Sequence, residues 1–331
     1  MSKAASDWLA AYLWLYKRRR HAPPNADIWH LRFHWQEHGE ALYQQVCSGN
    51  YRLQPMQLHR RYDNSWVQWC AQDALVLKWV AWQVEHLLPT HQRCVHLKGR
   101  GGGQKSVAQV WRALTSGEYA FVYRTDIRGY YRHIRKTQVL SLVQQHVADP
   151  VLTGLIEQYV HYSVEEGGEI FTPQHGICRG CALSPLIGAS LLHHVDSDFA
   201  AQAGTFYLRY MDDFVLFART RWQLRRCVKQ LHHYFNLAGF ETHPDKTQLG
   251  RIEQGFDWLG VWFTPEGTAI APRALENYRI QRLRLYEQAR RRGLSTADCD
   301  ARVQAYDVRW NRWANTMHAL CRPASHRSES R

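Results

Sequence analysis

Apolar and basic residues alternate at helical spacing along most of the first 90 positions of the chain. This spacing puts the apolar side chains on one face of each helix, so it predicts a mainly helical N-terminal region. A break is expected around Pro23 and Pro24, because proline interrupts helices. An extended stretch at residues 51–62, YRLQPMQLHRRY, interrupts the helical pattern a second time. The first part of the chain is therefore expected to contain helices and one short extended segment.

Between residues 119 and 270 the pattern changes to short apolar runs separated by polar or glycine-rich stretches. The run YAFVYRTDI (119–127) predicts a strand, and FYLRYMDDFVLFA (206–218) predicts a hairpin because two apolar runs flank a polar pair. A second hairpin is expected at VEEGGEIF, and a strand pair at FDWLGVWF and TAIAP. Helices are expected over a segment that ends at Val147, over residues 151–162 and over residues 221–239. From Pro272 onward the chain is expected to be helical and strongly basic.

The charge of the chain indicates what kind of partner it binds. Lys and Arg outnumber Asp and Glu by 42 to 29, which gives a net charge of +13 spread from Lys17 to Arg331. Such an excess predicts a polyanionic partner, either nucleic acid or an acidic membrane. The 14 Trp, 17 Tyr and 11 Phe residues add surfaces on which bases can stack, although most are expected in the core. At 331 residues, two or three subdomains that share a core are expected.

The cysteines and the N-terminal segment indicate the compartment. Eight cysteines are scattered along the chain, and only Cys178 and Cys181 have CxxC spacing. Without a second CxxC or a suitable His pair, neither a zinc site nor a disulfide scaffold is expected, which favours a cytoplasmic location. The segment DWLAAYLWLYKRRR has its apolar stretch before its positive charges, the reverse of a signal peptide, and is too short to span a bilayer. We interpret it as an amphipathic helix.

A basic, glycine-rich segment, HLKGRGGGQKS, occupies residues 96–106. Its backbone amides and the cations Lys98, Arg100 and Lys105 suit a phosphate group. The GxxxxGK[ST] spacing is missing, so the segment is not a Walker loop. Taken alone, it is most simply interpreted as a flexible basic loop between helices.

Three aspartates stand where metal ions would be held. Asp212 and Asp213 lie at the tip of the predicted hairpin, and Asp126 is near the end of the strand at 119–127. Adjacent carboxylates raise each other's pKa, so a positive partner is expected beside them, although Asp is also common in ordinary turns. Three carboxylates on neighbouring strands can hold two divalent ions roughly 3.5–4 Å apart, the arrangement used in phosphoryl transfer. Mg²⁺ is expected because all the ligands are oxygens.

Five segments in this order resemble motifs A to E of reverse transcriptases, closest to the prokaryotic enzymes of group II intron type. They are RTDIRGYYRHI, GICRGCALSPLIG, RYMDDFVLF, GFETHPDKT and FDWLGVWF, and the resemblance covers about residues 50–270. It implies an α+β, right-hand polymerase fold. The N-terminal helical region and fingers are expected at 1–118, the palm of antiparallel sheet and helices at 119–270, with elements of the fingers interleaved, and a helical, basic thumb and tail at 271–331.

The resemblance also implies a metal site. Asp126 and Asp212 correspond to the principal ligands of two Mg²⁺ ions, for which Mn²⁺ can substitute. Asp213 corresponds to the third palm carboxylate, and the carbonyl of Ile127 to a backbone ligand. Lys246 corresponds to the motif D lysine, which protonates or neutralises the pyrophosphate leaving group.

The same resemblance implies how the nucleotide is bound. Tyr131 corresponds to the aromatic residue that closes the space beside C2 of the incoming sugar, so deoxynucleotides are expected. Arg179 in motif B is expected beside the nucleotide. The triphosphate is expected to contact cations of the fingers, for which the candidates are Arg60, Arg61, Lys98 and Arg100.

Three departures from the family pattern bear on the function. Arg179 stands where most relatives have Gln, and Met211 stands where group II intron enzymes usually have Ala. About sixty residues follow the palm, too few for maturase and endonuclease regions, so a self-mobile intron protein is not expected.

The subclass is indicated by what the motifs lack. The NAxxH and VTG signatures of retron enzymes are missing, and Ser184-Pro185 stands where diversity-generating enzymes usually have SQ. A stand-alone or anti-phage defence enzyme is therefore expected, with an RNA template, a nucleic-acid primer, deoxynucleoside triphosphates and a dedicated structured non-coding RNA as partners, and no membrane. The oligomeric state, the priming mode and the template remain open.

Other functions share parts of this pattern. An RNA-dependent RNA polymerase would use the same carboxylates, but it typically lacks a bulky aromatic at the position of Tyr131. A catalytically retired, RNA-binding scaffold is disfavoured because all three acids are retained. A nucleotide cyclase has a similar palm with two aspartates, but it has no use for RGCALSP or for basic C-terminal helices.

Overall fold

The computed structural model describes residues 3–61 and 64–321 of the chain. The chain divides into two compact units, each built from two segments. The first unit comprises Met1–His91 and Gly129–His194, and the second comprises Gln92–Arg128 and Val195–Arg331. Residues 322–331, the end of the expected thumb and tail, lie outside the described residues.

The described residues form helices and short strands throughout. The helices are α1 (Lys3–Arg18), α2 (Asp27–Phe33), α3 (Trp35–Cys47), α4 (Ala71–Val84), α5 (Gly102–Thr115), α6 (Tyr130–His133), α7 (Lys136–His146), α8 (Pro150–Val160), α9 (Ser184–Leu191), α10 (His193–Ala201), α11 (Arg221–Ala238), α12 (Pro272–Arg291) and α13 (Thr296–Leu320). The strands are β1 (Met56–Arg61), β2 (Asn64–Gln68), β3 (Phe121–Asp126), β4 (Val164–Glu166), β5 (Glu169–Phe171), β6 (Thr205–Tyr210), β7 (Asp213–Ala218), β8 (Gln248–Arg251), β9 (Phe256–Trp258), β10 (Val261–Thr264) and β11 (Gly267–Ile270).

In the first unit, helices accompany a small sheet with the strand order β2-β1-β4-β5. β1 and β4 are distant in sequence and pair in parallel, with Met56 opposite Val164. α4 is apolar on nearly every side, so it is buried as a central helix that contacts α1, α2 and α8. The carboxylate of Asp73 in α4 is buried, and it accepts hydrogen bonds from the Tyr51 hydroxyl (2.6 Å) and the Gln54 N–H (3.0 Å). These bonds offset the cost of burying a charge.

The second unit is built on an antiparallel sheet with the strand order β6-β7-β3-β8. α11 packs on one face through Leu224, Leu231 and Phe235, and the ring of Phe235 lies 5.2 Å, centroid to centroid, from that of Phe214 in β7. The other face is covered by α5 and by the three-stranded sheet β11-β10-β9. Because both faces are covered, β3 and β7 are buried along almost their whole length, and β7 is a nearly continuous apolar run rather than an alternating one.

The core of the second unit lies on that other face of the sheet. Trp258 of β9 is fully buried and donates its indole N–H to Ser106 Oγ at 2.8 Å. It belongs to one apolar cluster with Val122 of β3, Phe217 of β7 and Met317 of α13. This cluster joins α5, both sheets and the C-terminal helix in a single core.

The structure confirms the predicted α+β class, the hairpin of β6 and β7, and the helix α11 that follows the hairpin. It differs from the prediction at two strands. The expected single strand FDWLGVWF is a hairpin of β9 and β10, because Gly260, at φ +83°, reverses the chain after Trp258. The expected loop HPDKTQLG ends in β8, which pairs with β3 at the edge of the main sheet. β8 was missed because its four residues, QLGR, carry no apolar alternation. Within the described ranges, no helix combines the length and the apolarity that crossing a bilayer requires.

Candidate active site

Three carboxylates meet at one end of the main sheet of the second unit. β6 and β7 form a hairpin whose turn is Met211–Asp212, and Asp213 begins β7. β3 pairs with β7 so that Asp126 lies directly opposite Asp213. Beyond the strand, the N–H of Ile127 donates to the Asp212 carbonyl at 3.1 Å. As a result, one carboxylate oxygen from each aspartate lies within 4.8 Å of the others.

Burial makes these negative charges costly. Asp126 is only 3% exposed. Burial, and then the charge of Asp126, raise the pKa of Asp212 to about 6. Burial raises the pKa of Asp213 to about 7, against the opposing effect of Arg124. The negative charge of the cluster is therefore not fully compensated by its surroundings.

Two cations of the same unit contact the cluster. Lys246, in the 3₁₀ turn Pro244–Lys246, places its Nζ 2.5 Å from Asp126 Oδ2. Arg124 is one strand period before Asp126, and it donates to Asp213 Oδ1 at 3.0 Å and to the Lys246 carbonyl at 2.6 Å. Among the described residues, the ion pairs of the three carboxylates involve two cations, which leaves an excess of negative charge. An all-oxygen donor set with such an excess fits hard divalent cations such as Mg²⁺.

A buried ion pair supports the turn that carries Asp212. Arg209 and Asp196 are both fully buried, and their side chains are joined by bonds of 2.7 and 2.5 Å. Arg209 also donates to the carbonyl of Met211 at 2.9 Å, while the N–H of Met211 donates to His96 Nδ1 at 3.1 Å. Met211 has φ +56°, a left-handed conformation that costs a non-glycine residue roughly 1–3 kcal/mol. The surrounding hydrogen bonds stabilise this strained turn.

The segment that carries the three aspartates matches a known protein family. The family described as reverse transcriptase (RNA-dependent DNA polymerase) matches residues 89–263, which is more than half of the chain and includes all three aspartates. The chain belongs to the reverse transcriptase family. This confirms the resemblance of the motifs and the right-hand polymerase class of the fold, and the family is one of nucleotidyltransferases that make DNA on RNA.

A solved structure is also similar to this reverse transcriptase. It is described as apo telomerase from Candida tropicalis truncated from the C-terminal domain, with 13% sequence identity and a TM-score of 0.45. The similarity covers 60% of this chain and 45% of the telomerase chain. Comparison with curated proteins gave no match.

The second unit of the reverse transcriptase also contains Lys98 and Arg100. The segment before them runs beside β6, where the Val95 N–H donates to the Arg209 carbonyl at 2.9 Å. The expected flexible loop is instead a turn closed by the Gly102 N–H, which donates to the Val95 carbonyl at 3.1 Å, and α5 begins at Gly102. Lys98 is exposed on this turn and Arg100 is half-buried.

The first unit contains the residues expected around the nucleotide base and sugar. Tyr131, 8% exposed, accepts a hydrogen bond at its carbonyl from the Ile177 N–H at 2.9 Å. The structure thus holds motif B, in which Arg179 is exposed, against the segment of Tyr131. Gly188 of α9 lies against the Tyr131 ring, because a Cβ built there would be 3.2 Å from the Tyr131 hydroxyl.

The remaining expected contacts are the two arginines of β1. Arg60 forms an ion pair with Glu166 of β4. The side chain of Arg61 lies outside the described part of the chain. One further group of potential metal ligands is found among the described residues, at the start of α3, where His34, Glu37 and His38 are more exposed than the aspartates.

Sequence reasoning missed four residues of this site: Arg124, Arg209, Asp196 and His96. Arg124 had a usable signal, because positions two apart on a strand share a face and Arg124 is therefore a neighbour of Asp126. Arg209 and Asp196 are thirteen positions apart on different elements, and no local pattern announces their pairing.

Proposed function

We propose that this reverse transcriptase makes cDNA by nucleotidyl transfer at Asp126, Asp212 and Asp213, with two Mg²⁺ ions, or Mn²⁺ in their place, held by these carboxylates and the Ile127 carbonyl. One observation carries the proposal: three carboxylates of two neighbouring strands converge within 4.8 Å with their charge incompletely neutralised. Such a cluster is destabilising unless cations bind it, and binding cations is what the polymerase reaction requires.

The divalent cations, when bound, would activate the primer 3′ hydroxyl and stabilise the charge that develops on the phosphates. The chain itself supplies the remaining positive charge. Lys246 is proposed to neutralise or protonate the departing pyrophosphate, because its ammonium lies against the carboxylates, 2.5 Å from Asp126 Oδ2. Arg124 is proposed to orient both Asp213 and the turn of Lys246, since it bonds to the two of them.

Substrate selection is proposed to depend on the first unit. Tyr131 is expected to exclude the 2′-hydroxyl of a ribonucleotide, and its backbone is joined to motif B by the hydrogen bond from the Ile177 N–H. Arg179 is exposed on the same motif, as a cation that contacts the nucleotide requires. For the triphosphate the candidates remain Arg60, Arg61, Lys98 and Arg100. Of these, Arg60 has a carboxylate partner, Glu166, to be exchanged for phosphate.

The template is proposed to be a dedicated structured non-coding RNA, in a stand-alone or anti-phage defence system in the cytoplasm. The net charge of +13 supports binding of RNA, and the missing retron and diversity-generating signatures support this subclass. The RNA polymerase and the retired scaffold are the alternatives that the experiment separates from it.

Primer extension on an RNA template tests the proposal. Wild type and Asp212→Asn are compared with deoxynucleotides and with ribonucleotides, in Mg²⁺, in Mn²⁺ and after chelation. Asp198→Asn serves as the matched control, because Asp198 is an exposed aspartate of the same unit. We expect deoxynucleotide incorporation that needs a divalent cation, is lost in Asp212→Asn and is retained in Asp198→Asn. RNA binding is expected to be unchanged, and the melting temperature is expected not to fall, in either variant. Ribonucleotide preference would contradict the DNA polymerase assignment, and full activity of Asp212→Asn would contradict the site.

A further inference from the structure

α11 is a strongly basic helix. Its 18 residues include four Lys and Arg, two His and no Asp or Glu. Arg221, Arg225 and Lys229 follow one another at intervals of four, and His232 and Asn236 continue the same stripe. At 1.5 Å per residue, this row of polar side chains is about 22 Å long.

The stripe faces solvent because the opposite side of α11 is buried. Leu224, Leu231 and Phe235 pack on the main sheet, whereas Arg225 and Lys229 are exposed. The register of β7 shows which face of the sheet is involved. Phe214 contacts α11, and the neighbouring residue Asp213 must point to the other face, because successive side chains of a strand alternate. The stripe therefore lies on the side of the sheet away from the three carboxylates.

A groove runs beside the stripe. It has a volume of about 460 Å³, and its lining comes from α11 and from Leu249 of β8. The residues that line it include Arg225, Lys229, His232, His233, Asn236 and Leu249. His232 is held in place by the Tyr123 hydroxyl, which lies 2.9 Å from its Nε2. The groove is thus a concave surface with a basic wall, in which the imidazole of His232 is held in place.

The cations of the groove differ from their basic neighbours. Arg219 forms an ion pair with Glu118 at 2.9 Å, and Arg251 forms one with Glu253 at 3.8 Å. Among the ion pairs of the described residues, none involves Arg225 or Lys229. An uncompensated positive wall of this kind is complementary to a polyanion.

We propose that this groove binds the phosphate backbone of double-stranded RNA at a site separate from the catalytic cluster. Phosphate is favoured because the polar lining residues are cations, imidazoles and an amide. A duplex is favoured over a single strand because none of the described residues that line the groove is Phe, Tyr or Trp, and single strands are bound largely by stacking on such rings. This binding function is additional to the proposed polymerisation, since the groove would hold a structured region of the RNA while another region is copied.

Salt-dependent binding to a blunt RNA hairpin tests the groove. The hairpin has a stem of about 16 base pairs, the span that double-stranded RNA-binding modules cover. Arg225→Gln/Lys229→Gln is compared with Arg112→Gln/Arg226→Gln, a control that removes the same charge from exposed positions outside the groove. Each lost phosphate contact reduces the log–log salt slope by about 0.9. If wild type and variant bind equally at 1 M salt, a variant that has lost two contacts binds roughly 60-fold more weakly than wild type at ~0.1 M salt.

We expect this loss in the groove variant, little change in the control, and unchanged primer extension on a short unstructured template for both. Equal losses in the two variants would overturn the proposal, because overall charge would then explain the binding. A loss confined to a DNA hairpin, or to single-stranded RNA, would overturn the assignment to an RNA duplex. Binding is measured apart from synthesis, so failure of the proposed polymerase reaction leaves this result interpretable.

Discussion

Replacing Arg209 tests whether the hairpin turn is held for catalysis or only for stability. Arg209 and Asp196 are fully buried, and Arg209 makes a third bond to the carbonyl of Met211. Arg209→Met leaves the Asp196 carboxylate buried without its partner, which costs about 3–5 kcal/mol of unfolding free energy. It also removes the donor that helps to keep Met211 at φ +56°, a conformation that costs roughly 1–3 kcal/mol.

Adding Asp196→Leu separates the two effects. The double variant has no unpaired buried charge, and its main remaining loss is the Tyr207 hydroxyl, which bonds to Asp196 Oδ1 at 2.6 Å. An unpaired hydroxyl costs about 1–3 kcal/mol, so the double variant regains part of the stability. The double variant still lacks the Arg209 side chain that donates to the Met211 carbonyl. We therefore expect the turn to relax and Asp212, the next residue, to be displaced in both variants.

The assays are urea unfolding and primer extension at a temperature at which all variants are folded. In the variants the turn can relax to an unstrained conformation, and Asp212 must be brought back into place during catalysis. If this adds 1–3 kcal/mol to the activation free energy, the rate of extension falls roughly 5–150-fold, since each 1.36 kcal/mol changes a rate tenfold. We expect the double variant to be more stable than Arg209→Met and still slow in kcat. A double variant that extends primers at the wild-type rate would refute the positioning role.

Three further substitutions test other parts of the site. Tyr131→Ala is expected to raise ribonucleotide incorporation by at least about tenfold relative to deoxynucleotides, as measured in competition, because a pocket wall is removed; unchanged selectivity would contradict its role. Lys246→Ala is expected to lower kcat by about 10²–10⁴, with Lys246→Arg retaining more activity, if the ammonium assists the leaving group; an effect on KM alone would argue against this. Gly176→Ala is expected to lower the melting temperature, because Gly176 has φ +78° and an added Cβ would lie 2.7 Å from the Tyr131 carbonyl oxygen. Gly154→Ala is the matched control and is expected to be neutral or stabilising, because a Cβ at Gly154 meets nothing within 4 Å.

Local sequence patterns were sufficient for much of this protein. The two apolar runs around Met211 and Asp213 predicted a hairpin, and the structure has it at β6 and β7. Helical spacing predicted α11, which is terminated by Gly239 in the left-handed conformation that glycine favours. The proximity of Asp126 to the hairpin also followed from its motif, because the family places it on a neighbouring strand.

What the tertiary structure decided is the set of contacts between residues far apart in the chain. Lys246 had been assigned to the leaving group, but its ion pair with Asp126 spans 120 positions. The pairing of Arg209 with Asp196, the parallel pairing of β1 with β4 and the edge strand β8 are likewise non-local or too short to leave a period. Periodicity reports which face of one element is buried, since a side chain's direction repeats within a helix or strand. It doesn't report which charged group on another element will lie opposite, because packing of the whole core determines that distance.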